Sequence, residues 1–176
     1  MFERFTKQAR RVVTDAVGEA ERERAPRVTG EHVMLALLGT DTRSAEILSS
    51  AGLTREVLVE AFAAIRRRGG LTDTEADALR SLGIDVDTIV ERVEREHGAD
   101  ALVEPRRARR GHRPFGPDAR ELLVRTLRQA MDRRDRRISD EHMLLALAAG
   151  TGSTAEVLAA HGLTYPEVRA RLAKAS

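Results

Sequence analysis

The chain has no cysteine and no tryptophan among its 176 residues, and only one tyrosine and four phenylalanines. Without cysteine there can be no disulfide and no thiolate metal site. With aromatic residues at 3%, the core must be built from Leu, Val, Ile and Ala, which suits helices packed on helices rather than aromatic-rich strands. No stretch approaches the ~18–20 apolar residues needed to cross a bilayer. The opening "MFERFTKQARR" is charged at once and lacks the apolar middle of a signal peptide, so the expectation is a cytoplasmic protein with no membrane partner. An excess of charge is missing as well. Thirty Lys and Arg face 28 Asp and Glu, a net of +2, which by itself does not point to nucleic acid.

What is present is a duplication. Sliding the chain by 110 residues pairs Phe5 with Phe115, Ala9 with Ala119, Glu31-His32 with Glu141-His142, and "LAL" at 35–37 with "LAL" at 145–147. The same register pairs "AEIL" at 45–48 with "AEVL" at 155–158 and "GLT" at 52–54 with "GLT" at 162–164, without a gap. Such a register is the mark of a repeated structural unit.

Each copy reads as four helices. Thr6 is a good N-cap for an apolar stripe at Ala9, Val12, Val13, Ala16, Val17 and Ala20. Thr29 then caps a short helix carrying Val33, Met34, Leu37 and Leu38. A third helix covers about 43–51 and stops at Gly52, and Thr54 caps a fourth that runs to about Arg68 before "GG". The second copy repeats this from Pro117, with breaks at Gly150, Gly152 and Gly162.

Between the copies, "EADALRSLGIDVDTIVERV" (75–93) resembles "SAEILSSAGLTREVLVEAF" (44–62) and "TAEVLAAHGLTYPEVRARL" (154–172). Gly83 falls where Gly52 and Gly162 fall. The insert therefore reads as a third copy of the last two helices, without a Glu-His element. "EPRRARRGHRPFGP" (104–117) follows as an Arg-, Pro- and Gly-rich linker. The boundaries expected are repeat 1 at 1–68, insert and linker at 69–110, and repeat 2 at 111–176, forming one compact domain of the all-α class.

"MFERFTKQARRVV", "TGEHVMLALL" and "SAEILSSAGLT", each with a counterpart in the second copy, resemble the N-terminal domain of the Clp unfoldases, most closely the actinobacterial ClpC type. The resemblance covers roughly residues 1–68 and 111–176. It implies a duplicated four-helix fold and a non-enzymatic module that binds degradation substrates, adaptors or the unfoldase itself. In that family ATPase modules usually follow, yet no G-x-x-x-x-G-K-[ST] loop occurs here. The expectation is a stand-alone recognition domain without its motor, modulating the ClpC–ClpP system.

The Glu-His pairs do not have the His-Glu-x-x-His spacing of a zinc protease. Neighbours on a helix also point about 100° apart, which is poor for chelation. No metal, cofactor or catalytic set is expected, and each Glu in a first helical turn already complements the helix dipole. The resemblance adds a binding role: Glu31 and Glu141 would accept the guanidinium of phosphoarginine, with Thr6 on the phosphate side of the first site. Gly116 replaces Thr at the equivalent place in the second copy. Carboxylates suit guanidinium as paired acceptors, and free helix-terminal amides suit phosphate. The resemblance also makes Phe2 and Phe115 candidates for a hydrophobic surface that takes Clp-directed cyclic-peptide antibiotics such as cyclomarin, which gives sequestration of such antibiotics as an alternative function. Phe5 and Phe115, matched by the repeat, also read as core anchors. "RRARRGHR" (106–113) reads as a solvated linker; a nucleic-acid-associated protein using this run is the rival from another class.

Overall fold

The computed structural model describes residues 2–103 and 113–174. Ten α-helices follow a short 3-10 turn at Phe2–Arg4, and no strand element occurs among the described residues. The first repeat supplies α1 (Lys7–Arg22), α2 (Gly30–Leu38), α3 (Arg43–Ser50) and α4 (Arg55–Arg67). The insert supplies α5 (Asp73–Ser81) and α6 (Val86–His97). The second repeat supplies α7 (Pro117–Asp132), α8 (Asp140–Ala148), α9 (Ser153–Ala160) and α10 (Tyr165–Ala173). The starts of α7 to α10 lie 110 residues after those of α1 to α4, the register read from the sequence.

Local chemistry explains the boundaries. The Thr6 hydroxyl accepts from the Ala9 amide at 3.1 Å and opens α1, whose buried face is Ala9, Val12, Val13, Ala16 and Ala20. Thr72 and Glu75 form a reciprocal capping box for α5, and the Asp85 carboxylate caps α6. Gly83 and Gly162 both sit in the left-handed region (φ 85 and 73), where a side chain would be strained. The insert thus shares the turn geometry of the repeats as well as their sequence pattern.

Packing divides the chain into two compact units: Met1–Arg55 with Arg106–Ser176, and Glu56–Pro105. Residues of α4 beyond Arg55 group with the insert, so this division does not follow the sequence boundary at residue 68. In the first unit, α2 and α8 are the central helices. Val33, Met34, Leu35, Ala36 and Leu37 are all buried, as are Met143, Leu144, Leu145, Ala146 and Leu147. Helices apolar on all sides belong in the middle of a bundle, and α1 packs on α2, α7 on α8, and α2 on α8. The second unit has a small core of Ala76, Val86 and Val90, with Leu71 and Leu79 packed against it.

The two repeats are joined by an exchanged pair of backbone links. The Thr6 amide donates to the Ile138 carbonyl and the Ile138 amide to the Arg4 carbonyl, each at 2.8 Å. Correspondingly, the Val28 amide donates to Pro114 at 2.9 Å and the Gly116 amide to Val28 at 2.8 Å. Each repeat thereby sets the segment before its first helix against the segment before the other repeat's second helix.

Candidate functional site

Glu31-His32 and Glu141-His142 occupy the first turns of α2 and α8. In both copies the histidine is the reciprocal capping residue. The Thr29 amide donates to His32 Nδ1 at 2.9 Å, and the Ser139 amide to His142 Nδ1 at 3.0 Å. An amide can only donate, so Nδ1 accepts and the neutral ring carries its proton on Nε2. Nε2 of His142 lies 2.9 Å from Asp135 Oδ2, and that of His32 lies 3.5 Å from Glu23 Oε2. Both rings are buried. Burial pushes the His142 pKa down, and the opposing bond and charge of Asp135 do not fully offset it. These histidines hold helix starts. Among the described residues no group of three or more His, Asp or Glu is placed to hold a metal ion.

The Glu31 carboxylate faces across to the other repeat. Glu31 Oε1 accepts from the Ser153 hydroxyl at 3.3 Å, at the start of α9. The amide of its neighbour Gly30 donates to Asp118 Oδ2 at 2.7 Å, from the first turn of α7. A cleft of about 180 Å³ lies here, lined by Gly30, Asp118, Arg125, Gly152, Ser153 and Thr154 among others. At the other end of the exchange, the Ser44 hydroxyl donates to Asp140 Oδ2 at 2.7 Å, at the start of α8.

The backbone links set Thr6 beside the start of α8, which carries Glu141, and set Gly116 beside the start of α2, which carries Glu31. The exchange connects positions more than 80 residues apart, and nothing in the local pattern of either helix signals it. The two ends also differ in charge. The first turn of α1 has no acidic residue and begins with Lys7. In α7, Pro117 has no amide proton and Asp118 places a carboxylate on the α2 terminus. The space around Gly116 is tight. A Cβ there would lie 2.8 Å from Asp118 Oδ1, 3.0 Å from Arg27 Cδ and 3.1 Å from the Val28 carbonyl.

Phe5 is fully buried, whereas Phe115 is half-buried on the bridge to Val28. The Phe2 side chain, and the Arg-rich run apart from Arg113, lie outside the described residues.

The two repeats form a duplicated all-helical bundle in which carboxylates of one repeat meet helix starts of the other. The chain belongs to the Clp repeat (R) N-terminal domain family, whose pattern matches residues 4–69 and 61–161. Domains of this family generally bind substrates and adaptors of Clp chaperones. The fold is similar to the Hsp104 N-terminal domain from Candida albicans, with a TM-score of 0.58 at 13% identity, covering 95% of this chain and 87% of that one. It is also similar to the N-terminal domain of the chaperone ClpD from Arabidopsis thaliana, with a TM-score of 0.56 at 17% identity, covering 99% and 95%. A third solved structure, from a malarial protein secretion system, has a TM-score of 0.61 at 13% identity and is covered to 93%, with 97% of this chain. At these identities the likeness is one of fold. No single described helix is long and apolar enough to cross a membrane.

Proposed function

We propose that the chain is a non-enzymatic recognition module for Clp substrates or adaptors, and that it takes phosphorylated arginine mainly at Glu141 with the start of α1. The observation that carries this reading is the exchange that sets Thr6 beside the segment leading into α8. A carboxylate at Glu141 suits the guanidinium, and an N-terminus with Lys7 and no acid in its first turn suits the phosphate. The Glu31 end is less suited to phosphate, because the Asp118 carboxylate already occupies the Gly30 amide and repels a second anion. Acting this way, the module would compete with or assist a ClpC-type unfoldase for marked substrates.

Calorimetry with phosphoarginine on the wild type and on Glu141→Ala, Thr6→Ala and Glu31→Ala tests the proposal. Losses of about tenfold or more in the first two variants, with a smaller loss in the third, are expected. Absence of heat from the wild type, or an effect of Glu31→Ala alone, overturns it. A second reading, sequestration of Clp-directed cyclic peptides, is favoured by the partial exposure of Phe115 where its repeat partner Phe5 is sealed. Cyclomarin binding that is lost in Phe115→Ala would support it, and binding unchanged by that substitution would not.

A further inference from the structure

We infer that the insert is a docking surface for a basic amphipathic helix of a partner protein. This is independent of the Glu31 and Glu141 ends.

The second repeat contains its own template for the insert. Shifting by 79 residues places Ile84 on Leu163, Ile89 on Val168 and Val93 on Leu172. In the repeat these positions are closed: Leu163 and Val168 are 0% exposed and Leu172 is 2% exposed, with α8 packed on both α9 and α10. In the insert two of these positions are open, with Ile84 42% and Ile89 49% exposed, while Val93 is partly buried; the adjacent Leu82 is 76% exposed. The cause is visible in the chain. The insert copies the third and fourth helices of a repeat and lacks the second, which in the repeat is the apolar "DEHMLLALA" of α8. On α6 the apolar stripe runs through Val86, Val90, Val93 and Ile89. The first two face the small core, which leaves Ile89 on the uncovered flank.

The fold therefore states the shape of the missing occupant: a short helix with apolar residues at i, i+3, i+4 and i+7. Charge states its chemistry. Residues 71–103 carry nine Asp and Glu against three Arg, while the whole chain is net positive. Asp77 and Asp87 are paired with Arg80, Glu94 with Arg67 and Asp73 with Arg68, so part of this acidic excess is already met within the chain. By helical spacing Asp85, Arg92 and Glu96 lie on the same flank as Ile89, all three exposed, so this flank carries two carboxylates and one guanidinium. An acidic partner helix would be repelled, and one with Lys or Arg beside its apolar stripe would be attracted.

The test uses the full chain and two fluorescein-labelled helical peptides. They share Leu and Met at i, i+3, i+4 and i+7 and differ in carrying Lys or Glu on the polar face. Fluorescence anisotropy is expected to show the Lys peptide binding at least about tenfold more tightly than the Glu peptide. The double variant Ile84→Ser/Ile89→Ser and the single variant Glu96→Lys should each weaken the Lys peptide, whereas Glu141→Ala should bind it as the wild type does. All three changed side chains of the insert are exposed, and circular dichroism verifies that the helices persist. Failure of both peptides to bind, equal binding of both, or indifference to Ile84→Ser/Ile89→Ser overturns the inference. A concentration-dependent dimer that disappears in the same double variant also overturns it, by making a second copy of the chain the occupant.

Discussion

Arg55 grips Glu19 with both arms of its guanidinium, Nη1 to Oε1 at 3.0 Å and Nη2 to Oε2 at 2.6 Å. One repeat later, at positions 165 and 129, the Tyr165 hydroxyl donates to Gln129 Oε1 at 2.9 Å. The first copy has an ion pair where the second has a neutral hydrogen bond, and both positions of the pair differ between the copies. Glu19 is buried. Burial raises its pKa, but the bonds and charge of Arg55, assisted by Arg22, outweigh that and hold the carboxyl below the usual range. Arg55→Ala should lower stability by about 1–3 kcal/mol in urea unfolding, toward the lower end because Arg55 itself is partly exposed. The double change Glu19→Gln/Arg55→Tyr, which transplants the second repeat's pair, should recover part of that loss. Because the folded pKa of Glu19 is depressed, its contribution is present above the unfolded carboxylate range and is lost as pH falls through the lower folded value. Arg55→Ala should therefore flatten the acid limb of the stability profile.

His142 gives a second pH dependence, in a different window. Its folded pKa lies below the usual histidine value, so the unfolded chain binds the proton first. Stability should fall as pH drops from neutrality through about 6.5 toward the folded value, and should then level off for this group. Protonation would also remove the Nδ1 acceptor that holds the Ser139 amide. His142→Gln keeps an acceptor at the third helical position and removes the titration. Its thermal midpoint should change less between pH 7.5 and pH 6 than that of the wild type.

Gly116→Thr restores the residue found at Thr6 and should nonetheless destabilise. The new Cβ meets the Val28 carbonyl at 3.1 Å and the Asp118 carboxylate at 2.8 Å, and the backbone contact cannot rotate away. A loss of about 1–3 kcal/mol in chemical denaturation is expected. Thr6→Gly, at the equivalent place, should cost less, since it removes one cap hydroxyl.

Asp118→Asn should make the Glu31 end more receptive to anions. It removes the negative charge held 2.7 Å from the Gly30 amide while keeping an oxygen acceptor there. Titration with phosphoarginine should then show the contribution of Glu31 rise relative to that of Glu141. An unchanged ratio between Glu31→Ala and Glu141→Ala in the Asp118→Asn background would count against the charge argument.

Gly83→Ala and Gly162→Ala impose the same left-handed strain, about 1–2 kcal/mol, on different units. Gly162→Ala should lower the stability of the unit built on α8. Gly83→Ala should instead speed amide exchange in residues 71–103, where the core is small.

The duplication, the helix boundaries and the half-repeat in the insert were legible in the residues alone. Caps such as Thr6 and Asp85, and stops such as Gly83 and Gly162, act within one helical turn, so their physics is written in neighbouring letters. The structural role of the histidines was half legible. Their place in the first helical turn was visible, but the reciprocal bond to the Thr29 and Ser139 amides depends on side-chain reach. What only the tertiary structure decided is which ends meet. The Thr6–Ile138 and Gly116–Val28 bonds join residues distant in the chain, and no local propensity encodes a hydrogen bond between repeats. That exchange sets Thr6 beside the segment that leads into α8. The same kind of decision left Ile84 and Ile89 exposed. Their apolar character is local, but burial needs a covering helix, and the insert carries none of its own.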